Sequence, residues 1–304
     1  MQYPHPRDAQ EVIGWSRGQG CAEVASVLSA RTPIRIEGDL QRSCIDARID
    51  LLVARKFSSF DLVPVIVPTG VDIDSIGSIT AAIGDGPHSP FAVDVAVRIG
   101  ERLSVPVEVA TVHRDDSDRV EASARLDVLV EGRPGLRSRL VTSPSVVELI
   151  DGLDPSALVV IGAPGGSWFH RQLTGPGHKL AAAAPAGALL VRSAPRRAFH
   201  EARPVNDAVV GLHLSAGDAL RVMGHPVAAV AEGGELVGIV RTSVLREVPP
   251  TVAVGHLMED PVSVGSVEPL SSVDELREFF DGGPVPVVDD KGRLIGLVID
   301  PAAA

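Results

Sequence analysis

The last third of the chain repeats itself, and this restricts what the chain can fold into more than any other feature. Residues 224–240 (GHPVAAVAEGGELVGIV) return as 282–298 (GGPVPVVDDKGRLIGLV) at a constant offset of 58. Gly224, Pro226, Val227, Val230, Gly234, Leu236, Gly238 and Val240 all recur there. Just upstream, LSAGDALRV and LSSVDELRE match at an offset of 56, so Leu214, Ser215, Asp218, Leu220 and Arg221 return as Leu270, Ser271, Asp274, Leu276 and Arg277. Each copy reads as a helix opened by Ser and Asp, a strand PVxxV, a turn (EGGE or DDKG) and a second strand LxGxV. Alone, such a unit exposes the apolar face of its sheet; two copies bury it against each other.

Upstream, residues 76–196 alternate short apolar runs with helical patterns. SITAAIG (78–84), VEVATV (107–112), RSRLVTS (137–143), ALVVIGA (157–163) and GALLVRS (187–193) read as strands. Residues 89–103 carry Phe91, Val95, Ile99 and Leu103 at helical spacing. Residues 119–130, 145–153 and 176–184 also read as helices, the last with Pro176 in its first turn. Such alternation predicts a doubly wound, five-stranded parallel sheet of the α/β class, followed by an α+β pair made of the repeat. Of residues 1–75, 21–31 and 41–56 look helical. LVPVIVPT (62–69) reads as a strand whose two prolines suggest a sheet edge. This first segment is an extension of unknown role, and 194–204, rich in Arg, Ala and Pro, reads as a linker.

The segment 162–179, GAPGGSWFHRQLTGPGHK, carries the clearest chemical signal. Gly162, Gly165 and Gly175 stand as G-x2-G-x9-G between a buried strand and a helix. Glycines there let backbone N–H groups close on an anion, beyond the carboxyl end of a strand where open α/β sheets bind ligands. Across 155–200 the chain has no Asp or Glu in 46 residues, although it holds 39 carboxylates and a net charge of −11. At average density roughly six would be expected there. Arg171, Lys179, Arg192, Arg196 and Arg197 fall in the same window. A basic, carboxylate-free window in an acidic chain suits a polyphosphate; the alternative is a glycine-rich turn beside solvated arginines.

These residues resemble the universal stress protein domain over about 76–196, through the strand series, the IGDGPHS loop and the 162–175 glycine spacing. The resemblance implies an adenine nucleotide, ATP first and a cyclic nucleotide second, with any Mg²⁺ arriving on it. It implies phosphates held at Gly162, Gly165, Gly166, Ser167 and Gly175, helped by Arg171 and Lys179. Adenosine would lie at the loops holding Gly84, Asp85 and Val112. Two positions depart from the family pattern. Pro176 follows Gly175 where ATP-binding members carry Ser or Thr, and Gly84 takes the place of the Asp that closes the first strand, with Asp85 one residue later.

The repeat resembles a tandem pair of CBS domains, over 205–248 and 254–301. In members that bind adenosine ligands a Thr or Ser follows the second strand, with an Asp three residues on. Here those places hold Arg241 and Val244 in one copy and Ile299 and Ala302 in the other, with Asp300 out of register. The resemblance therefore implies the pair's fold without its usual ribose contact, and a structural or partner-contacting role stands beside ligand binding.

Other chemistry finds little support. The sequence holds no HExxH, Cys/His cluster, G-x-S-x-G or Walker A loop, and no general base beside a nucleophile, so catalytic and metal residues are expected to be none. His88 and His113 read as either ligand-facing or structural, and Asp115, Asp116 and Asp118 as a solvated turn. The acidic balance argues against nucleic acid. The start MQYPHPRDAQ lacks the pattern of a secretory leader, and the longest apolar run, 180–191, is broken by Pro185. Cys21 and Cys44 fit free thiols in a reducing compartment. The expectation is a cytoplasmic, non-catalytic regulatory sensor without membrane insertion, a homodimer with a further protein target. The alternative is an interaction scaffold, with degenerate sites, that regulates a transporter or enzyme; slow ATP hydrolysis is a lesser one.

Overall fold

The structure is a computed structural model that describes residues 11–57, 62–143, 149, 152–163 and 184–299. The chain forms two compact units, one from Met1–Cys44 and Ile49–Ala194, the other from Ile45–Arg48 and Pro195–Ala304.

In the first unit the five expected strands are β5 (Ser78–Ile83), β6 (Val107–His113), β7 (Arg137–Thr142), β8 (Ala157–Gly162) and β9 (Ala188–Arg192). They run parallel in the order β9-β8-β5-β6-β7. The central pair, β5 and β8, is buried almost throughout, which is why both read as unbroken apolar runs rather than alternating ones. Side chains alternate between the two faces. Ile79, Ala81 and Ile83 of β5 join a core with α1 (Cys21–Leu28) and α3 (Ser89–Leu103), while Ala82 joins a second core with Val159, Ile161 and Leu149. Leu149, from the segment between β7 and β8, thus packs on the face opposite α3, as double winding requires. Helix α4 (Asp116–Val130) places Leu126 in the first core. The helices read at 145–153 and 176–184 lie largely outside the described residues.

The sheet does not stop at five strands. β1 (Ile13–Ser16), β2 (Ile34–Ile36), β3 (Leu51–Val53) and β4 (Val65–Thr69) extend it to nine, in the order β2-β1-β3-β4-β9-β8-β5-β6-β7. These four are parallel to one another, and the join between β4 and β9 is antiparallel, pairing Val65 with Arg192 through Thr69 with Ala188. Counted outward from the join, one side runs last strand, next-to-last, first, second, third. The other runs last, next-to-last, first, second. Both helices that follow a first strand, α1 and α3, share one core on one face. The two halves therefore follow the same winding about an approximate two-fold axis at the join, with four strands in the N-terminal half and five in the other among the described residues.

Three sequence expectations change here. The sheet has nine strands, not five. LVPVIVPT supplies an interior strand rather than an edge: Pro64 stands just before β4, where its carbonyl accepts from Leu52 N–H at 3.0 Å, and Pro68 lies beyond the two residues of β4 that pair with the short β3. The missing N–H groups thus cost that ladder nothing. The 41–56 stretch is not one helix. α2 (Leu40–Asp46) ends early, and LLV forms the fully buried β3, because a short apolar run reads alike as helix or strand until its burial decides.

In the second unit, β10 (Val209–Gly211), α6 (Ala216–Val222), β11 (Val227–Glu232), β12 (Glu235–Arg241) and α7 (Thr242–Arg246) make the first copy. β13 (Val264–Gly265), α8 (Ser271–Arg277), β14 (Val285–Val288) and β15 (Leu294–Val298) make the second. Each three-stranded sheet pairs its first strand parallel and its last antiparallel to the middle one. Ser215 caps α6, its Oγ accepting from Asp218 N–H at 3.1 Å. The turns differ. Gly233 and Gly234, both at positive φ, make a two-residue turn closing Glu232 on Glu235. In the second copy Asp289 N–H donates to the Arg293 carbonyl at 2.9 Å across a longer loop with Gly292 at positive φ. The hairpin register consequently differs by one residue, Val227 facing Arg241 but Val285 facing Val298.

The copies are interlocked. Leu236 N–H donates to the Gly292 carbonyl at 3.1 Å, and Leu294 N–H returns the bond to Gly234 at 2.9 Å. Glu259, leading into the second copy, pairs with Ile239 of the first, while Arg203, leading into the first copy, pairs with Leu297 of the second. Each copy's sheet is completed by the strand that precedes the other. Gly238 and Gly296 make this crossing possible: a Cβ would lie 2.7 Å from the Glu259 carbonyl oxygen in one case and 2.9 Å from that of Arg203 in the other. The stretch read as a linker is part of this core. α5 (Ala198–Glu201) buries Ala198 and Phe199 completely, and Ala202 after it, because small apolar residues stand between the arginines. Gly296→Ala is expected to destabilise the second unit by about 1–3 kcal/mol through this backbone clash, measured as a lower urea midpoint.

Candidate functional site

The carboxyl ends of β5, β6 and β8 bring the loops of the predicted site to one sheet edge. Strand order reverses at β5, whose chain successor β6 lies on one side and the later β8 on the other, and ligands of open α/β sheets bind at such a reversal. Here the loop after β5 touches the end of β8. A Cβ on Gly162 would lie 3.0 Å from the carbonyl carbon of His88, so glycine at 162 is required by the loop packed on it. The same loop is drawn in at Gly84, whose N–H donates to Ser89 Oγ at 3.1 Å while that hydroxyl donates to the Gly84 carbonyl at 2.9 Å. Asp85 stands next to it, exposed. Val112 is half-buried, against the core of the second face. Gly165, Gly166, Ser167, Arg171, Gly175 and Lys179, and Trp168 with them, lie outside the described residues.

Two histidines, His88 and His113, lie at this edge. His88 occupies the N-cap position of α3, and its Nδ1 accepts from Ser193 N–H at 3.2 Å with Ser193 Oγ at 2.8 Å. Nδ1 as acceptor assigns the proton to Nε2. Burial, and then the charge of Arg192, hold its pKa below the ordinary histidine value, so the ring is neutral. The sequence distance of 105 residues hid this contact. His113 is 4% exposed, with Nδ1 at 3.0 Å from the Asp115 carbonyl and Nε2 at 2.8 Å from Thr142 Oγ1. Both nitrogens are engaged, so it pins the ends of β6 and β7 together. Asp115 is no idle turn residue: it caps α4, accepting from Ser117 N–H at 2.9 Å and Asp118 N–H at 3.3 Å. Its pKa is lowered first by the Ser117 hydroxyl and then by those N–H groups.

In the second unit Arg241 occupies the place where adenosine-binding relatives of the pair carry a hydroxyl. Its guanidinium reaches Glu259 at 3.2 Å and Asp281 at 3.3 Å, donates to the Phe279 carbonyl at 3.1 Å, and lies 4.9 Å from the Phe279 ring centre. One side chain of the first copy is thereby fastened to the crossing strand and to the turn after α8 of the second. At the matching place in the second copy, Ile299 packs with Val205, Ala208, Ala229 and Leu297. Both positions are filled by the protein itself. The signal was legible as an arginine and an isoleucine in equivalent slots, but not the partners 18 and 40 residues away.

Among the described residues no group of three or more His, Cys, Asp or Glu is arranged to hold a metal ion, and no helix is long and apolar enough to cross a membrane.

No protein-family model matches the chain, and no curated protein matches it in sequence. Solved structures do match over about a third of it. A CBS domain pair/ACT domain protein from Thermotoga maritima is 18% identical, covering 34% of this chain and 88% of its own, with a TM-score of 0.32. CBSX2, a CBS-pair protein from Arabidopsis thaliana, is 24% identical over 34% of this chain and 89% of its own, with a TM-score of 0.31. The cytosolic domain of the Mg²⁺ channel MgtE, solved in complex with ATP, is 24% identical over 34% of this chain, with a TM-score of 0.30. The match covers 45% of that domain. The solved structures similar to part of this chain are thus CBS domain pairs.

Two outcomes are expected. Because the folded His88 has a lower pKa than the unfolded one, the unfolded chain takes up more protons below about pH 6.5, and stability falls as pH drops through that value. The fall in urea midpoint between about pH 7.5 and about pH 5.5 should be smaller in His88→Asn than in wild type. Arg241→Ala should cost the second unit about 1–2 kcal/mol, above the range of an exposed ion pair, read by the same denaturation.

Proposed function

We propose that the protein is a non-catalytic regulatory sensor that binds an adenine nucleotide in its first unit, with the interlocked repeat as the regulatory or dimerising module. The observation that carries this reading is the place of Gly162. The first glycine of the G-x2-G-x9-G series ends β8 against the β5 loop, at the reversal of strand order, and lies in a window free of carboxylates. The order of β5 to β9 fits the universal stress protein resemblance. In this reading the 162–175 segment cradles the phosphates with Arg171 and Lys179, the loops at Gly84, Asp85 and Val112 meet the adenosine, and any Mg²⁺ arrives with the nucleotide. The repeat senses through contacts with a second copy or a target protein rather than through a ribose site.

A second reading is favoured by Arg241 and Ile299, which fill both positions of the repeat: the chain is then a scaffold that regulates a transporter or enzyme by protein contact. Thermal unfolding with ATP, AMP, cyclic AMP and cyclic di-AMP separates the two. A nucleotide at 100 times its Kd should add about 2.7 kcal/mol of stability, and Gly165→Ala and Arg171→Ala should each weaken it. Absence of any shift with all four would favour the scaffold.

A further inference from the structure

The first half of the nine-stranded sheet builds the same junction that the second half builds at Gly162. In the second half the loop after the first strand (β5) touches the chain after the next-to-last strand (β8). In the first half the loop after β1 touches the chain after β3. A Cβ on Gly18 would lie 3.0 Å from Arg55 Cβ and 3.4 Å from its Cα, as one on Gly162 would lie 3.0 Å from His88. Strand order reverses here too, since β1 stands between β2 and β3.

The two junctions are finished differently. His88 and Ser193 close the second. The first opens into a concavity of about 570 Å³ lined by Arg17, Gly18, Gln19 and Arg55, within the size range of small-molecule sites. Arg17 and Arg55 are exposed, Lys56 follows, and among the described residues neither arginine makes an ion pair. The N–H groups of Gly18, Gln19 and Gly20 donate no backbone hydrogen bond among the described residues. Of the acids at that edge, Glu37 pairs with Arg35 at 2.9 Å and Asp39 accepts from Gln41 N–H at 2.9 Å and Arg42 N–H at 3.2 Å, while Asp72 and Asp74, in the loop after β4, are exposed. Glu23, in the first turn of α1, is the nearest carboxylate to the loop in sequence. A cavity at a strand-order reversal, rimmed by unpaired guanidinium groups and free loop N–H groups, has the chemistry of a phosphate site.

We propose that this concavity is a second anion site, taking a small molecule with a di- or triphosphate group. The halves run antiparallel, so it lies on the opposite edge of the sheet from the loops of Gly84 and Gly162 and stands or falls independently of the nucleotide reading above.

Calorimetric titration of the full chain with inorganic pyrophosphate and with ATP tests it. Pyrophosphate should bind wild type, more weakly as salt rises. R17Q/R55Q should weaken it about a hundredfold, roughly tenfold for each lost charge-assisted contact, at an unchanged melting temperature. R17K/R55K should keep it within about tenfold, and Arg171→Ala should leave it unchanged. ATP binding that persists in Arg171→Ala and is lost in R17Q/R55Q belongs to this site; if that binding is tighter than pyrophosphate the site also reads the nucleoside, and if equal it reads phosphate alone. The proposal fails if wild type binds neither at millimolar concentration, if R17Q/R55Q binds like wild type, if Arg171→Ala alone removes binding, or if loss in R17Q/R55Q follows a fall in melting temperature that R17K/R55K shares.

Discussion

The ladder between β4 and β9 is the interaction on which the first unit depends. Five residue pairs join two parallel half-sheets that would otherwise each end in an open edge. The join brings α1 and α3 into one core, so that Val24 and Leu28 of one half are buried with Val93 and Ala96 of the other. It also fixes where ligands can be met. Because the halves run in opposite directions, the carboxyl ends of their strands emerge on opposite edges, and the unit has two reversal points rather than one.

The second unit solves the same problem by exchange. A helix and a three-stranded sheet leave an apolar face uncovered, and the duplicated copy covers it, with Val227 and Ile239 of one copy sharing a core with Val285 and Val298 of the other. Arg241 adds a polar fastening where the copies meet. Filling that place with an arginine, and its counterpart with Ile299, strengthens the pair as a body and removes room from it as a binding site. In the first unit, by contrast, glycines rather than side chains occupy the points of closest approach.

The sequence was most legible where one residue type had to recur. Turn glycines, the prolines before the strands and the helix-opening Ser and Asp stand at fixed offsets in both copies, so the duplication could be read directly, although Ser215 caps its helix and Ser271 does not. Residues 89–103 likewise showed their helix through a regular apolar stripe. In the first half α1 and β4 were legible, but β1, β2 and β3 were not, because at three or four residues they are too short for periodicity to separate from a helix turn. The linker reading failed at α5 for a related reason: its buried Ala198 and Phe199 are few, and only the strands that close over them identify them as core. In the candidate site, Gly162 was visible from spacing, while the His88–Ser193 bond and the Gly18–Arg55 contact are products of strand order, which local pattern does not encode.

The crossing at Gly238 and Gly296 has a consequence for how the molecule comes into being. Arg203 waits for Leu297, so the loop to be closed spans nearly the whole second unit, and its entropy must be paid before the second copy's sheet is complete. Neither copy can finish while the other is absent. On a ribosome, the first copy's sheet can take up Glu259 soon after β12, while the segment at Arg203 stays unpaired until β15 has been made. Closure of the second copy's sheet is therefore a late event, and a chain that stops before β15 leaves the backbone at Arg203 unpaired, marking it as incomplete.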